Sequence, residues 1–177
     1  SPGPVFFVQE RLGLNGRPFR FFKFRTMYHN ADHEVHQQYV RSFIRDRLGA
    51  GDATAGGPSQ PFKLVGDKRV TRVGRLLRRS SLDELPQLFN VVRGEMSLVG
   101  PRPPLPYEFL EYEEWHKGRL ATVPGLTGLW QVRGRSRVTF DDMVRMDMEY
   151  IARQSLWLDL KILILTIPAV ISGRGAG

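Results

Sequence analysis

The stretch VFFVQERLGLNGRPFRFFKFRTM, residues 5 to 27, reads as two strands around Asn15-Gly16. That dipeptide supplies the positive φ angles of a tight hairpin turn. Period two along the second strand puts Phe19, Phe21, Lys23 and Arg25 on one face. The period then lengthens. Residues 31 to 48 carry Val35, Tyr39, Val40, Phe43, Ile44 and Leu48 at helical spacing. A short helix is predicted from about Val70 to Arg79, with Val73, Leu76 and Leu77 inward and Arg72, Arg75, Arg78 and Arg79 mostly outward. Asp83 to Val92 is again helical, and Leu85, Leu88, Phe89 and Val92 form its expected buried stripe. Further helices are expected over 107 to 120 and 139 to 155. GAGDATAGGPSQP (49 to 61) reads as a flexible, low-complexity loop, and GPRPPLP (100 to 106) as a stiff connection. No internal repeat interrupts this order.

The last segment, LWLDLKILILTIPAVI (156 to 171), is apolar nearly all round apart from Asp159 and Lys161. It falls short of the roughly 20 residues that span a bilayer. A buried core helix and a helix lying in the membrane interface both fit it. The expected architecture is α+β: one irregular, mostly helical domain with a small N-terminal β-hairpin and no large parallel sheet.

Composition narrows the partners. A chain of 177 residues with 41% hydrophobic content suits a single domain with a real core. The net charge of +8 and pI near 10.3 call for an anionic partner: nucleic acid, a phosphorylated substrate or an acidic membrane surface. With no cysteine there is neither a disulfide framework nor a thiolate metal site. No signal peptide precedes the abrupt opening SPGPVFFVQE, which reads as the start of a piece of a longer protein.

The candidate chemistry centres on SSLDELPQLF, residues 80 to 89. Asp83 and Glu84 stand side by side after a stretch, Lys63 to Arg79, that holds seven Lys or Arg and one acid, Asp67. Ser81-Leu82-Asp83-Glu84 matches a capping box, with Pro86 awkward for that register; making Asp83 the cap moves Pro86 into the tolerated first turn. Either way the carboxylates sit at a helix N-terminus, where positive potential favours anions. Downstream, Pro101 and Pro103 stiffen the backbone around Arg102. A guanidinium so held can grip phosphate bidentately with little entropy to lose; a plain connector, or a PxxP ligand through Pro103 and Pro106, is the alternative. Gln131, Arg133 and Arg135 around Gly128 and Gly134 could bind a nucleotide or form an exposed basic turn. His29, His33 and His36 lack a zinc-protease pattern and read as a solvated helix face rather than a metal site.

The string SLDELPQLFNVVRGEMSLVGPRP strongly resembles the bacterial sugar transferases, the monotopic polyprenyl-phosphate phosphoglycosyl transferases. The similarity continues in SPGPVFFVQERLGLNGRPFRFFKFRTM, VPGLTGLWQVRGRS and MDMEYIARQSLWLDLKILILTI, in family order across almost the whole chain. Residues 48 to 62 look least like the family. The resemblance implies transfer of a sugar 1-phosphate from a UDP-sugar to undecaprenyl phosphate, with release of UMP. Asp83 matches the family's nucleophilic aspartate and Glu84 its dyad partner, with a Mg²⁺ ion expected at Asp83. Arg78 and Arg102 match positions near phosphate, Lys23 matches the family's KFR(T/S)M block, and Gln131 and Arg135 are its candidate nucleotide contacts. The family's re-entrant membrane helix would precede SPGP. The resemblance therefore places the protein on the cytoplasmic face of a bacterial inner membrane. Residues 156 to 171 would lie at the interface, the basic surface would face anionic headgroups, and a homo-oligomer is allowed. No nucleic acid is expected: the basic run has no interleaved aromatics, and an apolar terminal helix does not suit a nucleic-acid binder. A nucleic-acid module and a non-catalytic scaffold for polysaccharide assembly are the competing classes.

Overall fold

A computed structural model describes residues 1–31, 34–45, 67, 69–133 and 138–171. Its fold is mixed α+β and mostly helical. Strands β1 (Phe6–Leu12) and β2 (Pro18–Phe24) form an antiparallel hairpin, and β3 (Ser97–Val99) pairs in parallel with β4 (Gly125–Thr127). The helices are α1 (Glu34–Arg45), α2 (Arg72–Arg79), α3 (Gln87–Val92), α4 (Pro106–Phe109), α5 (Glu114–Lys117), α6 (Leu129–Arg133), α7 (Phe140–Ala152) and α8 (Leu156–Ile171). The low-complexity loop at 49 to 61 lies outside the described residues.

Asn15 and Gly16 take the expected positive φ, 55° and 74°. The connection is wider than a tight turn, however. A 3-10 turn over Leu14–Gly16 separates the strands, because Arg17, held extended before Pro18, delays the start of β2. The register pairs Phe7 with Lys23, Gln9 with Phe21 and Arg11 with Phe19, so these six side chains share one face. That face is the covered one: Arg11 and Phe21 are buried while Phe6 and Val8 are exposed. Arg25 does not join Lys23 there. Its guanidinium instead binds the carbonyls of Ser1, Gly3 and Pro4, which ties the N-terminal segment to the end of the hairpin.

Two apolar clusters hold the helices. Val40 and Ile44 of α1 pack with Tyr112, Phe140 and Val144, and Val99, Leu129, Tyr150 and Ile162 form the second cluster. The parallel pair brings backbone against backbone: a Cβ on Gly125 would lie 2.0 Å from the Gly100 amide nitrogen. This contact fixes where the Gly100-Pro101-Arg102 turn leaves β3. The small parallel sheet had no signature in the hydrophobic pattern, since three-residue strands are too short to show a period.

The expected inward face of α3 is reversed, and that of α2 is kept only in part: Leu77 is half-buried, and Arg72, Arg75 and Arg79 point outward as expected. Val73, Leu76, Phe89 and Val92 are 68%, 67%, 64% and 87% exposed, and Leu85 and Leu88 are exposed with them. Buried in their place are Gly74, Asp83, Gln87 and Asn90. The reason is polar anchoring. The Asn90 amide donates to the Arg20 carbonyl and to Glu95 Oε2, both at 2.7 Å, and its oxygen accepts from the Phe22 amide at 3.3 Å. Gly74 sits directly on the chain after β2, where any Cβ would meet the Thr26 carbonyl oxygen at 1.9 Å. These contacts turn the Gln87 and Asn90 side of α3 and the Gly74 and Arg78 side of α2 towards the hairpin, and leave the apolar side chains named above outward.

The helix expected over 107 to 120 is broken into α4, α5 and a 3-10 turn at Gly118–Ala121. His116 restarts it, its Nδ1 accepting from the Glu113 amide at 3.0 Å. The helix expected over 139 to 155 runs from Phe140, with Thr139 capping Asp142, to Ala152. The final helix has its expected bounds; Ile162 is buried while Leu156, Trp157, Leu160, Ile164 and Ile167 are exposed. Tyr150 Oη donates to Asp159 Oδ1 at 2.8 Å, which accounts for one of the two charges on this helix. Among the described residues no helix is long and apolar enough to cross a membrane.

Candidate active site

Asp83 lies in a 3-10 turn, Leu82–Glu84, between α2 and α3. Neither cap foreseen from the sequence forms. Ser81 adopts the left-handed conformation, φ 54°, so it lacks the extended backbone from which a capping side chain works. Pro86 instead directly precedes α3, where its missing amide hydrogen is harmless. A left-handed serine costs about 1 kcal/mol or more, and such strain concentrates at functional sites. Its consequence is local: the Asp83 side chain is buried, while Glu84 is half-buried.

The turn packs against β2 and α2, which bring cations to it. Lys23 is half-buried and its pKa is pushed down to about 8. Burial is the main cause; Arg11 and Arg78 push the same way, and Asp83 and Glu84 oppose them. Arg78 is also held below its usual value, mainly by burial and against the pull of Asp83. Its Nε donates to Thr26 Oγ1 at 2.9 Å, which aims the head group from α2 across the chain that follows β2. Lys23, Arg78, Asp83 and Glu84 thus form one charged group at one end of the hairpin's covered face.

Arg102 stands at the other end. Backbone bonds hold its turn on both sides: the Gly125 amide donates to the Pro101 carbonyl at 2.8 Å, and the Leu12 amide to that of Pro104 at 3.0 Å. A narrow cleft beside it, with space for little more than a water molecule, is lined by Arg102, Glu108, Tyr112, Arg119 and Trp130 among others. Gln131 belongs to this end too. A Cβ on Gly128 would lie 2.5 Å from the Gly100 carbonyl oxygen and 3.1 Å from Gln131 Oε1. That amide oxygen is buried and has no hydrogen-bond partner among the described residues. Arg133 is exposed beside Glu149, and Arg135 lies outside the described residues. His29 is exposed, its Nδ1 2.9 Å from Asn30 Oδ1; His33 and the His36 side chain lie outside the described residues.

Beneath the cleft sits a buried ion pair. Arg119 donates to Asp147 and, at 3.0 Å, to Tyr112 Oη. Burial raises the Asp147 pKa to about 6 despite Arg119, and raises that of Tyr112 to about 12. Pairing outweighs burial at Arg119, whose pKa is raised. This pair, and the buried Arg11 and Glu108, went unseen in the sequence. For Arg11 the sequence pointed the other way: a tight turn at Asn15-Gly16 would set it opposite Arg20 on the far face, and only the wider turn seen here pairs it with Phe19.

Among the described residues no cluster of three or more metal-binding side chains occurs. Two adjacent carboxylates, Asp83 and Glu84, nevertheless suit Mg²⁺, which is commonly held by one or two carboxylates together with substrate phosphates.

Comparison with known proteins adds what geometry cannot. The family model for bacterial sugar transferases matches residues 1–173. The chain is 43% identical to galactosyl transferase CpsE of Streptococcus agalactiae over 98% of its own length and 36% of that protein's. It is 45% identical to the exopolysaccharide production protein ExoY of Rhizobium meliloti, covering 98% of the chain and 73% of ExoY. A UDP-glucose:undecaprenyl-phosphate glucose-1-phosphate transferase of Caulobacter vibrioides is 40% identical over 99% of the chain and 60% of its own length. The chain spans about a third of the first of these relatives. A family match from end to end, over the segments that carry the charged group and the Pro-Arg-Pro turn, leaves one reading: the chain belongs to the bacterial sugar transferase family.

Proposed function

We propose that this chain is the catalytic domain of an enzyme that moves a sugar 1-phosphate from a UDP-sugar to undecaprenyl phosphate and so starts glycan assembly on a lipid carrier. The observation that carries the reading is Asp83, a buried carboxylate held on a strained turn with Lys23 and Arg78 around it. Asp83 attacks the phosphorus that bears the sugar, and the bond from that phosphorus to the bridging oxygen breaks, so UMP leaves with the electron pair. An oxygen of the lipid phosphate then attacks the same phosphorus, and Asp83 leaves as the free carboxylate. The product is polyprenyl diphosphate sugar. Such displacements need positioning and charge neutralisation more than covalent help. Lys23 and Arg78 supply positive charge at the phosphoryl oxygens, Glu84 orients Asp83, and Arg102 and Gln131 hold the nucleotide side of the donor, with Arg135. A Mg²⁺ held by Asp83 and Glu84 would add charge neutralisation on the diphosphate. The donor sugar follows the relatives' names, galactose or glucose.

The lipid acceptor requires an interface, and the outward apolar side chains support one. Helices α2 and α3 flank Asp83 and turn Val73, Leu76, Phe89 and Val92 outward, with exposed Arg72, Arg75, Arg79 and Arg93 among them. Apolar side chains interspersed with arginines suit the headgroup region of an anionic bilayer, and the exposed face of α8 suits the same place. The anionic character of the cytoplasmic leaflet makes the arginines support a place on the cytoplasmic face of the bacterial membrane.

The test is UMP release from a panel of UDP-sugars, in a membrane fraction containing the protein, undecaprenyl phosphate and Mg²⁺. One donor is expected to yield UMP, and Asp83→Asn to abolish it. A well-folded protein that releases no UMP from any donor would remove this reading, and the scaffold reading would take its place.

A further inference from the structure

Arg11 sits on β1, 6% exposed, in the row of side chains that runs along the covered face of the hairpin. Lys23 occupies one end of that row and Arg11 the other, with the Gln9–Phe21 pair between them. A buried guanidinium is normally neutralised by a carboxylate in bidentate geometry. Arg11 is held otherwise. Nη1 donates to the Pro103 carbonyl at 3.0 Å, Nη2 to Gln9 Oε1 at 3.0 Å, and the Phe21 ring lies 5.1 Å from the guanidinium carbon. Nε has no acceptor among the described residues. The neighbouring carboxylate, Glu108, offers its charge but no hydrogen bond: Oε2 accepts from the Leu105 amide at 2.9 Å, and the buried Oε1 has no partner among the described residues.

The first of those contacts falls on the carbonyl of the residue immediately after Arg102. Together with the Leu12 amide on Pro104, it ties the downstream arm of the Pro-Arg-Pro turn to β1, while Gly125 ties the upstream arm to β4. Fold stability alone does not explain a charge here, because an apolar side chain would fill the space with less desolvation and Leu12 already tethers the turn. The charge also lies within electrostatic reach of Arg102, whose positive charge opposes it. A buried positive charge with a second one near it favours anions beside them; Glu108 supplies one, and a phosphate of the donor would supply another.

We propose that Arg11 is a positioning residue for the transfer: it fixes Arg102 relative to Lys23 and Asp83, using the hairpin as a rigid spacer, so that the two ends of the site engage one diphosphate donor. This rests on the function proposed above. A positioning role through Arg102 makes a specific demand, namely that removing Arg11 should matter only while Arg102 is present.

The experiment is a double-mutant cycle of Arg11→Met and Arg102→Ala, reading kcat and KM for the UDP-sugar by UMP release in membranes. Thermal unfolding of each protein serves as the folding control, and UDP affinity is measured by calorimetry. Arg11→Met is expected to lower kcat/KM by about 100-fold, the scale of a misplaced binding group, and to weaken UDP binding. In the Arg102→Ala background the same change should cost less than about 3-fold, the mark of non-additive partners. Arg11→Lys, which can reach one carbonyl but not hold both contacts, should recover part of the loss. If Arg11→Met does not fold, Gln9→Leu releases one side of the guanidinium and should show the same dependence on Arg102. Losses that multiply across the cycle, or an Arg11→Met protein with unchanged kcat/KM, overturn the proposal. A wild-type protein that binds UDP yet makes no UMP removes the transfer reading, and the cycle in UDP affinity alone then decides for or against Arg11. Absence of UDP binding by the wild type removes both.

Discussion

At the scale of single residues, Lys23 carries a conflict between stability and chemistry. Its pKa is about 8 in the fold, against an ordinary 10.5, chiefly because it is buried and Arg11 and Arg78 stand near it. Between those two pH values the unfolded chain holds a proton that the folded chain has lost. Unfolding therefore takes up a proton there, and stability rises as pH climbs from 8 towards 10.5. Activity should move the other way, because the neutral amine no longer offsets phosphoryl charge. A pH profile of kcat/KM is expected to fall above pH 8, and Lys23→Arg to shift that limb upward. Lys23→Met removes the buried charge altogether; it should lose activity by at least 10-fold yet gain about 1 kcal/mol, a Tm rise of about 2–4 °C. An unchanged or lower Tm would show that the attraction of Asp83 and Glu84 outweighs burial. The alternation along β2 was enough to single out Lys23. It wrongly grouped Lys23 with Arg25, because a period knows nothing of where a strand ends: β2 stops at Phe24, and Arg25 turns to the N-terminal segment. The burial that tunes Lys23 comes from residues distant in the chain, which no local pattern contains.

At the scale of elements, the helical period located α2 and α3 but misjudged the face that α3 buries and, at Val73 and Leu76, part of the face of α2. An apolar stripe shows that a helix needs a non-aqueous neighbour, and does not say that the neighbour is protein. What settles the orientation is Asn90, fully buried and bonded to both Arg20 and Phe22, and Gly74, which lets α2 touch the backbone at Thr26. In sequence both look unremarkable, an asparagine within a helix and a glycine within another. The prediction inverts the usual rule for helices. Asn90→Leu, polar to apolar at a buried site, should destabilise by about 3 kcal/mol, since it strips partners from a buried carbonyl and amide. Phe89→Ser, on the adjacent position, should change stability by less than about 0.5 kcal/mol in aqueous buffer. Urea unfolding midpoints compare the two directly. If Phe89→Ser proves the more damaging, the apolar face of α3 is core after all and its polar face is the one that meets water. The cleft end was legible only in part. Arg102 stood out because prolines flank it, whereas Arg119 and Asp147 are 28 residues apart and meet only through tertiary packing.

For the whole molecule, the charge of +8 and the outward apolar faces make a joint prediction about membranes. Charge alone would give binding that salt abolishes, because the attraction of Lys and Arg to anionic headgroups, about 1 kcal/mol each when well placed, fades beyond a Debye length. Apolar insertion alone would give binding indifferent to both salt and headgroup charge. With both at work, vesicles containing anionic lipid should bind more tightly than neutral ones at low salt, and the difference should shrink at high salt to a residual affinity. That residue belongs to the exposed side chains of α3 and α8. Replacing Leu85, Phe89 and Val92 together with Ser should cut binding to neutral vesicles by at least 10-fold while leaving the salt dependence on anionic vesicles intact, because the arginines remain. Replacing Arg72, Arg75 and Arg79 with Gln should do the opposite and flatten the salt dependence. Co-sedimentation with vesicles of the two compositions, at two salt concentrations, separates the contributions. Should the triple-serine protein bind neutral vesicles as the parent does, the outward face of α3 takes no part in the interface, and Asp83 must reach its lipid acceptor from another side.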